Sequence, residues 1–316
     1  VQIDYRQAAA RQAMTDALLE VAGHCDGVRC DMAMLVTRDV FLRTWSGQFE
    51  PPDAEFWPAA VGEVKVAYPG FLLMAEVYWD LEYQLQQMGF DFAYDKRLYD
   101  RLRGKEPMLV QDHLRLASLD YQRRLVRFVE NHDEPRAAAA FGPERSRAAA
   151  TLALTLPGLR LVHEGQMEGR RVRLPVQLGR RPQEAPEAGI ESFYRRLLAA
   201  LGAPVLQEGE WQMLQVEEAW AGNASHTNLV AYLWTLWGKH RLVVANLAPG
   251  ASQCFVSLPL PRLASKAWEF RDLLGDASYV RDGDDLLSRG LYLDLPGYGY
   301  HLFEIRPASG RSQGIP

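Results

Sequence analysis

The chain has 316 residues, 48% of them hydrophobic and 24% charged, and a formal net charge of −5. This is the composition of an ordinary globular protein, long enough for one large domain and a small one. The acidic balance leaves no basic footprint for nucleic acid, and no apolar run is long enough to span a membrane. Three cysteines (Cys25, Cys30 and Cys254) are too few for a disulfide scaffold. No signal-peptide pattern opens the chain, so a cytoplasmic location is expected, with neither nucleic acid nor membrane as partner.

Residues 5–22 carry apolar side chains at helical spacing and end at Gly23. A short strand follows, Gly27-Val28-Arg29-Cys30-Asp31-Met32-Ala33. Residues 45–52 read as loop and 54–68 as a second helix, broken by Pro69-Gly70. The apolar run 71–77 reads as a strand buried on both faces, with Glu76 near its C-terminal end. Helix 80–88, strand 90–94, helices 96–103 and 110–120, and strand 125–129 come next, the last running into Glu130-Asn131-His132-Asp133. Helix 146–156, the breaker Pro157-Gly158, strand 159–162 and helix 190–201 complete this part. Strand and helix alternate about five times, as in parallel βαβ units. The polar residues gather at the C-terminal strand ends, where a β/α barrel carries its active site.

After about residue 209 the pattern changes to short runs rich in Val, Leu, Phe, Tyr and Trp, separated by Gly and Pro. These predict a small antiparallel β-sandwich. The expected organisation is α/β: a partial β/α TIM-type barrel over 1–205, a β-sandwich over 206–306, and a tail over 307–316.

Asp31, Glu76 and Asp133 each sit at or just past the end of a parallel strand. Three acids at one barrel mouth cannot all ionise freely. One protonated and one ionised carboxyl on either side of a bond is what glycoside hydrolysis needs. Arg29, one strand period from Asp31, points to the same face and can hold it ionised. His132 can donate to a sugar hydroxyl.

Four stretches in order resemble the α-amylase family of glycoside hydrolases, family 13. They are Gly27 to Ala33, Met74-Ala75-Glu76-Val77-Tyr78, Glu130-Asn131-His132-Asp133, and Pro157-Gly158 through His163-Glu164-Gly165-Gln166. The resemblance spans roughly residues 1–305. It implies Asp31 as nucleophile, Glu76 as general acid and then base, and Asp133 as the acid that holds the distorted sugar. It also implies Arg29, His132, Tyr78 and Asn131 as substrate-binding residues. The expected activity is a retaining α-glycosidase on starch, glycogen or maltooligosaccharides. A branching or glucanotransferase-type transglycosylase, or a non-catalytic remnant, are the alternatives. The family's barrel has eight strands, and those read here correspond to the fourth through the eighth. Its calcium site is often built in the part not seen, so no cofactor or metal is placed on this chain. An open barrel could take a partner chain along its unpaired strand edge.

For other residues the bland reading is preferred. Trp57 and Trp234 are core, Trp237 an edge residue and Cys30 a small buried hydrophobe. Glu134 and Arg136 are a surface pair or line the mouth. His163-Glu164, and His24-Cys25 with Cys30, lack metal-ligand geometry.

Overall fold

The computed structural model describes residues 3–45, 48–104, 106–175, 177 and 179–308. Its first elements are α1 (Ala8–Ala22), β1 (Gly27–Cys30), α2 (Arg38–Thr44), α3 (Phe56–Ala67), β2 (Leu72–Ala75), α4 (Glu82–Gln87) and β3 (Phe92–Tyr94). Then come α5 (Lys96–Arg103), α6 (Pro107–Leu116), α7 (Leu119–Arg123), β4 (Leu125–Arg127), α8 (Ala137–Ala140), α9 (Pro143–Thr155), β5 (Leu159–Arg160) and α10 (Ala188–Leu201). The chain ends in β6 (Glu210–Met213), β7 (Val216–Glu218), β8 (Leu229–Leu236), β9 (Lys239–Asn246), β10 (Ser252–Val256), β11 (Ala267–Asp272), β12 (Ser278–Asp282), α11 (Gly283–Arg289), β13 (Leu291–Leu295) and β14 (Tyr300–Pro307). No helix is long and apolar enough to cross a membrane among the described residues.

Two compact units divide the chain: Val1–Arg97 with Ser118–Arg127, and Leu98–Ala117 with Phe128–Pro316. In the first, β1, β2, β3 and β4 run parallel side by side. Helix α3 buries Phe56, Trp57, Ala60, Val61 and Val64, one face of a helical repeat. Together with Leu73, Ala75 and Ala93 of the strands they form the unit's core. The Trp57 indole N–H donates to the Ala33 carbonyl at 2.7 Å, so this tryptophan is core as expected. At Gly27 a β-carbon would lie 2.7 Å from the Leu72 carbonyl oxygen, so only glycine lets β1 approach β2 there. The expectation that β2 is buried on both faces is corrected at its start, since Leu72 is 48% exposed. The helix read over 110–120 is two helices. Ala117 ends the first and Ser118 caps the second, its hydroxyl accepting from the Tyr121 amide at 3.3 Å.

Between strands and helices of this unit lies a buried polar cluster. Arg127 and Asp95 form an ion pair with both side chains fully buried. Nearby, Glu82 is 1% exposed, and neither carboxylate oxygen has a hydrogen-bond partner. Burial, helped by the Asp95 and Asp80 charges, pushes the Glu82 pKa from 4.5 up to about 7, against the weaker opposing pull of its own backbone amide and of Arg97. Between those values the folded chain keeps a proton that the unfolded chain has released. Stability contributed by the neutral acid is therefore complete below pH 4.5 and lost as the pH rises through about 7. The loss is about 3 kcal/mol. Denaturant titrations across this window should show that Glu82→Gln removes much of the fall, and an unchanged slope would contradict the assignment.

The second unit contains two antiparallel sheets, ordered β12-β11-β14-β9-β8-β6 and β13-β10-β7. Their inward residues, among them Leu242, Val244, Cys254, Val256, Leu291, Leu293 and Phe303, share one core, as a sandwich requires. The fold is thus a partial β/α barrel followed by an antiparallel β-sandwich. Helix α9 shares a further core with the outer side of β8 and β9. There the Trp234 indole donates to the Thr155 carbonyl at 2.8 Å, and Tyr232 and Thr155 hydroxyls meet at 2.5 Å. Strands β6, β7 and β12 are absent from the sequence reading. All three are sheet edges, where polar residues replace the apolar alternation.

Candidate active site

In the first unit, the β1–β2 register pairs Arg29 with Met74 and Cys30 with Ala75. Asp31 and Glu76 therefore leave adjacent strands at the same level. The Glu76 amide donates to the Cys30 carbonyl at 3.0 Å, and the Ala33 amide to the Glu76 carbonyl at 2.9 Å. One guanidinium serves both acids: Arg29 Nη1 donates to Asp31 Oδ1, and Nη2 lies 2.9 Å from Glu76 Oε1. Burial opposes the Arg29 charge, but Tyr94, Glu76 and Asp31 outweigh it and hold its pKa above the ordinary value.

The two carboxylates differ in surroundings. Asp31 has a side chain 77% exposed, whereas Glu76 is 1% exposed. The Tyr78 hydroxyl donates to Glu76 Oε1 at 2.9 Å, and the Met32 amide to Oε2 at 2.7 Å. Met32 has a left-handed backbone, φ 45°. A non-glycine residue in that region is strained, and here the strain aims a peptide N–H at the buried acid. Trp79 and Asp80, past Glu76, also have left-handed backbones, with φ 64° and 63°. Trp79 is 58% exposed under the Arg43 guanidinium, 5.8 Å away, and Asp80 pairs with Arg97 at 2.8 Å. Cys30 is buried beside the pair, as expected.

In the second unit, Asn131, His132 and Asp133 share one loop. Asn131 is 2% exposed, and its oxygen accepts from the Asp133 and Glu134 amides, both at 2.9 Å, which fixes the turn. His132 Nε2 lies 3.0 Å from Asp133 Oδ2 with both side chains partly exposed.

The pairing read for Glu134 and Arg136 is corrected. Arg136 is buried, and its partner is Glu130, with Nη1 to Oε1 at 2.6 Å. Glu134 faces Arg103 instead, at 3.8 Å. The other Glu130 oxygen accepts from the Ala137 amide at 2.7 Å, and His163 Nδ1 lies 3.0 Å from Oε1. Arg136 also donates to the Glu164 carbonyl at 2.6 Å. This cluster ties the 130–136 stretch to the His163-Glu164-Gly165 turn. Sequence reasoning quoted Glu130, Arg136 and His163 without joining them. The available signal was a charge at the end of an apolar strand, which needs a partner. His163 and Glu164 lie in loop rather than strand. Among the described residues no three His, Cys, Asp or Glu side chains could hold a metal.

Comparison with known proteins agrees with this architecture. No family model matches the chain. The α-amylase MalA of Haloarcula japonica is 27% identical over 261 residues, covering 79% of this chain and 35% of that protein. The chain thus spans about a third of that relative's length. The maltogenic α-amylase AmyB of Thermotoga neapolitana has the same fold, at TM-score 0.71 and 21% identity, covering 95% of this chain and 66% of that one. A debranching enzyme of Nostoc punctiforme, from a crystal soaked with acarbose, aligns at TM-score 0.68 and 18% identity, covering 95% and 62%. A β/α barrel portion with carboxylates at its strand ends and an antiparallel β-sandwich is the fold this chain shares with those glycosidases. Sequence likeness to one α-amylase and fold likeness to several thus agree with the resemblance to the α-amylase family.

Proposed function

We propose that this chain carries the nucleophile and the acid/base of a retaining α-glycosidase acting on α-linked glucans. The observation that supports this most is the single Arg29 guanidinium shared by Asp31 and Glu76 at the ends of adjacent parallel strands. Asp31, open to solvent, attacks the anomeric carbon. Glu76 gives its proton to the departing glycosidic oxygen. The bond to the leaving sugar breaks as the Asp31 ester forms. Glu76, now a carboxylate, takes a proton from water, whose oxygen displaces Asp31 and restores the starting configuration. Tyr78 and the Met32 amide keep the Glu76 carboxyl in place for both transfers. Asn131, His132 and Asp133 enter this reading on their motif alone, with Asp133 as the acid that steadies the charge on the ring.

Release of reducing sugar from soluble starch tests the proposal. Asp31→Asn and Glu76→Gln should each lower it by about 100-fold or more. A substrate whose leaving group needs no proton should recover the first step in Glu76→Gln but not in Asp31→Asn. Activity unchanged in either variant would overturn the assignment.

A further inference from the structure

The outer face of the three-stranded sheet carries features that neither packing nor the carboxylate pair requires. Along β10, Cys254 and Val256 point into the core, so Phe255 points out. Along β13, Leu291 and Leu293 are buried and Tyr292 is outward and 40% exposed. The register sets Phe255 between Tyr292 and Glu217. The two rings lie 5.4 Å apart, tilted by 56°. The Arg289 guanidinium lies 5.3 Å over Phe255. Gly290, with φ 83°, makes the turn that keeps Arg289 beside Tyr292; a β-carbon there would lie 2.7 Å from the Val256 carbonyl oxygen.

Glu217 and Arg289 also line a cavity of about 340 Å³ at this end of the sandwich, together with Gln212, Gln215, Ser257 and Ser288. The Glu217 and Arg289 side chains have no ion pair or hydrogen bond among the described residues, nor do those of Gln212 and Gln215. A cross-strand aromatic pair also stabilises its own sheet. That role does not call for an open tyrosine ring beside a guanidinium and a carboxylate that line a cavity and have no ion-pair partner among the described residues.

We propose that this face is a non-catalytic glycan site that takes a neutral α-glucan chain. A pyranose ring stacks on Tyr292, Glu217 accepts from sugar hydroxyls, and Arg289 donates to them. The amides and serines of the cavity receive the next sugar. The two opposite charges cancel, which suits an uncharged polyol and not a phosphate or an acidic peptide. The glucan class rests on the proposed function above.

The test is retention of the full chain on insoluble starch granules and its affinity for maltoheptaose by calorimetry. The Tyr292→Ala/Arg289→Ala variant should lose about tenfold in affinity, with hydrolysis of maltotriose unchanged. Tyr292→Phe keeps the ring and should bind as the native chain does, which separates loss of the platform from a folding defect. Equal retention of the double variant, folded by its melting curve, would overturn the proposal. So would absence of retention by the native chain. Retention that depends on Tyr292 in a chain without hydrolytic activity would sustain this site while the catalytic reading fails.

Discussion

Arg29→Ala is expected to reduce starch hydrolysis by about 100-fold or more, with Arg29→Lys recovering little of it. The guanidinium meets Asp31 through one nitrogen and Glu76 through another. A lysine ammonium is a single point charge and cannot hold two carboxylates in one plane. Displacement of a reacting group by about 1 Å is enough to lower a rate 100-fold. The variant should also be less stable, because Glu76, 1% exposed, is left with hydrogen-bond donors but without its cation. The decisive readout is kcat beside a urea titration. A rate loss that Arg29→Lys restores in full would mean that charge alone, without the two-point geometry, is what Arg29 supplies.

A large loss of stability is expected from Arg136→Ala, at about 3–5 kcal/mol. Arg136 and Glu130 side chains are 2% and 1% exposed, so removing the arginine strands a buried carboxylate. The same change releases the Glu164 carbonyl, which accepts from Arg136 at 2.6 Å. Adding Glu130→Gln should return part of the loss, since the double variant buries no lone charge. Urea midpoints of the two single variants and the double variant give the comparison. A loss below about 1 kcal/mol, the level of a surface pair, would be inconsistent with a buried pair.

Much of this molecule was legible in its sequence, and each success has a local cause. Breakers such as Pro69-Gly70 and Pro157-Gly158 bound the elements, and α5 spans the residues its spacing predicts, Lys96–Arg103. Strands β8 and β9 were visible as apolar runs buried on both faces, and β10, β11 and β13 because burial of one face imposes a period of two. Edge strands β6, β7 and β12 were not, because one side of each is free of a partner and their residues are chosen by solvent.

For the site, the sequence alone determined that Asp31 and Glu76 stand at strand ends, since the strand and its terminal carboxylate are neighbours in the chain, whereas Asp133 lies in the loop past β4. It also determined that Arg29 shares a face with Asp31, a consequence of two-residue periodicity. The tertiary structure alone decided that the same guanidinium reaches Glu76, which depends on the register of two strands separated in the chain by α2 and α3. It alone decided that Tyr78 and the Met32 amide orient Glu76, and that Arg136 belongs to Glu130 and not to Glu134. The physical reason is common to all three. Periodicity says which way a side chain points, but the partner of a buried charge is set by whatever long-range packing brings within about 3 Å of it.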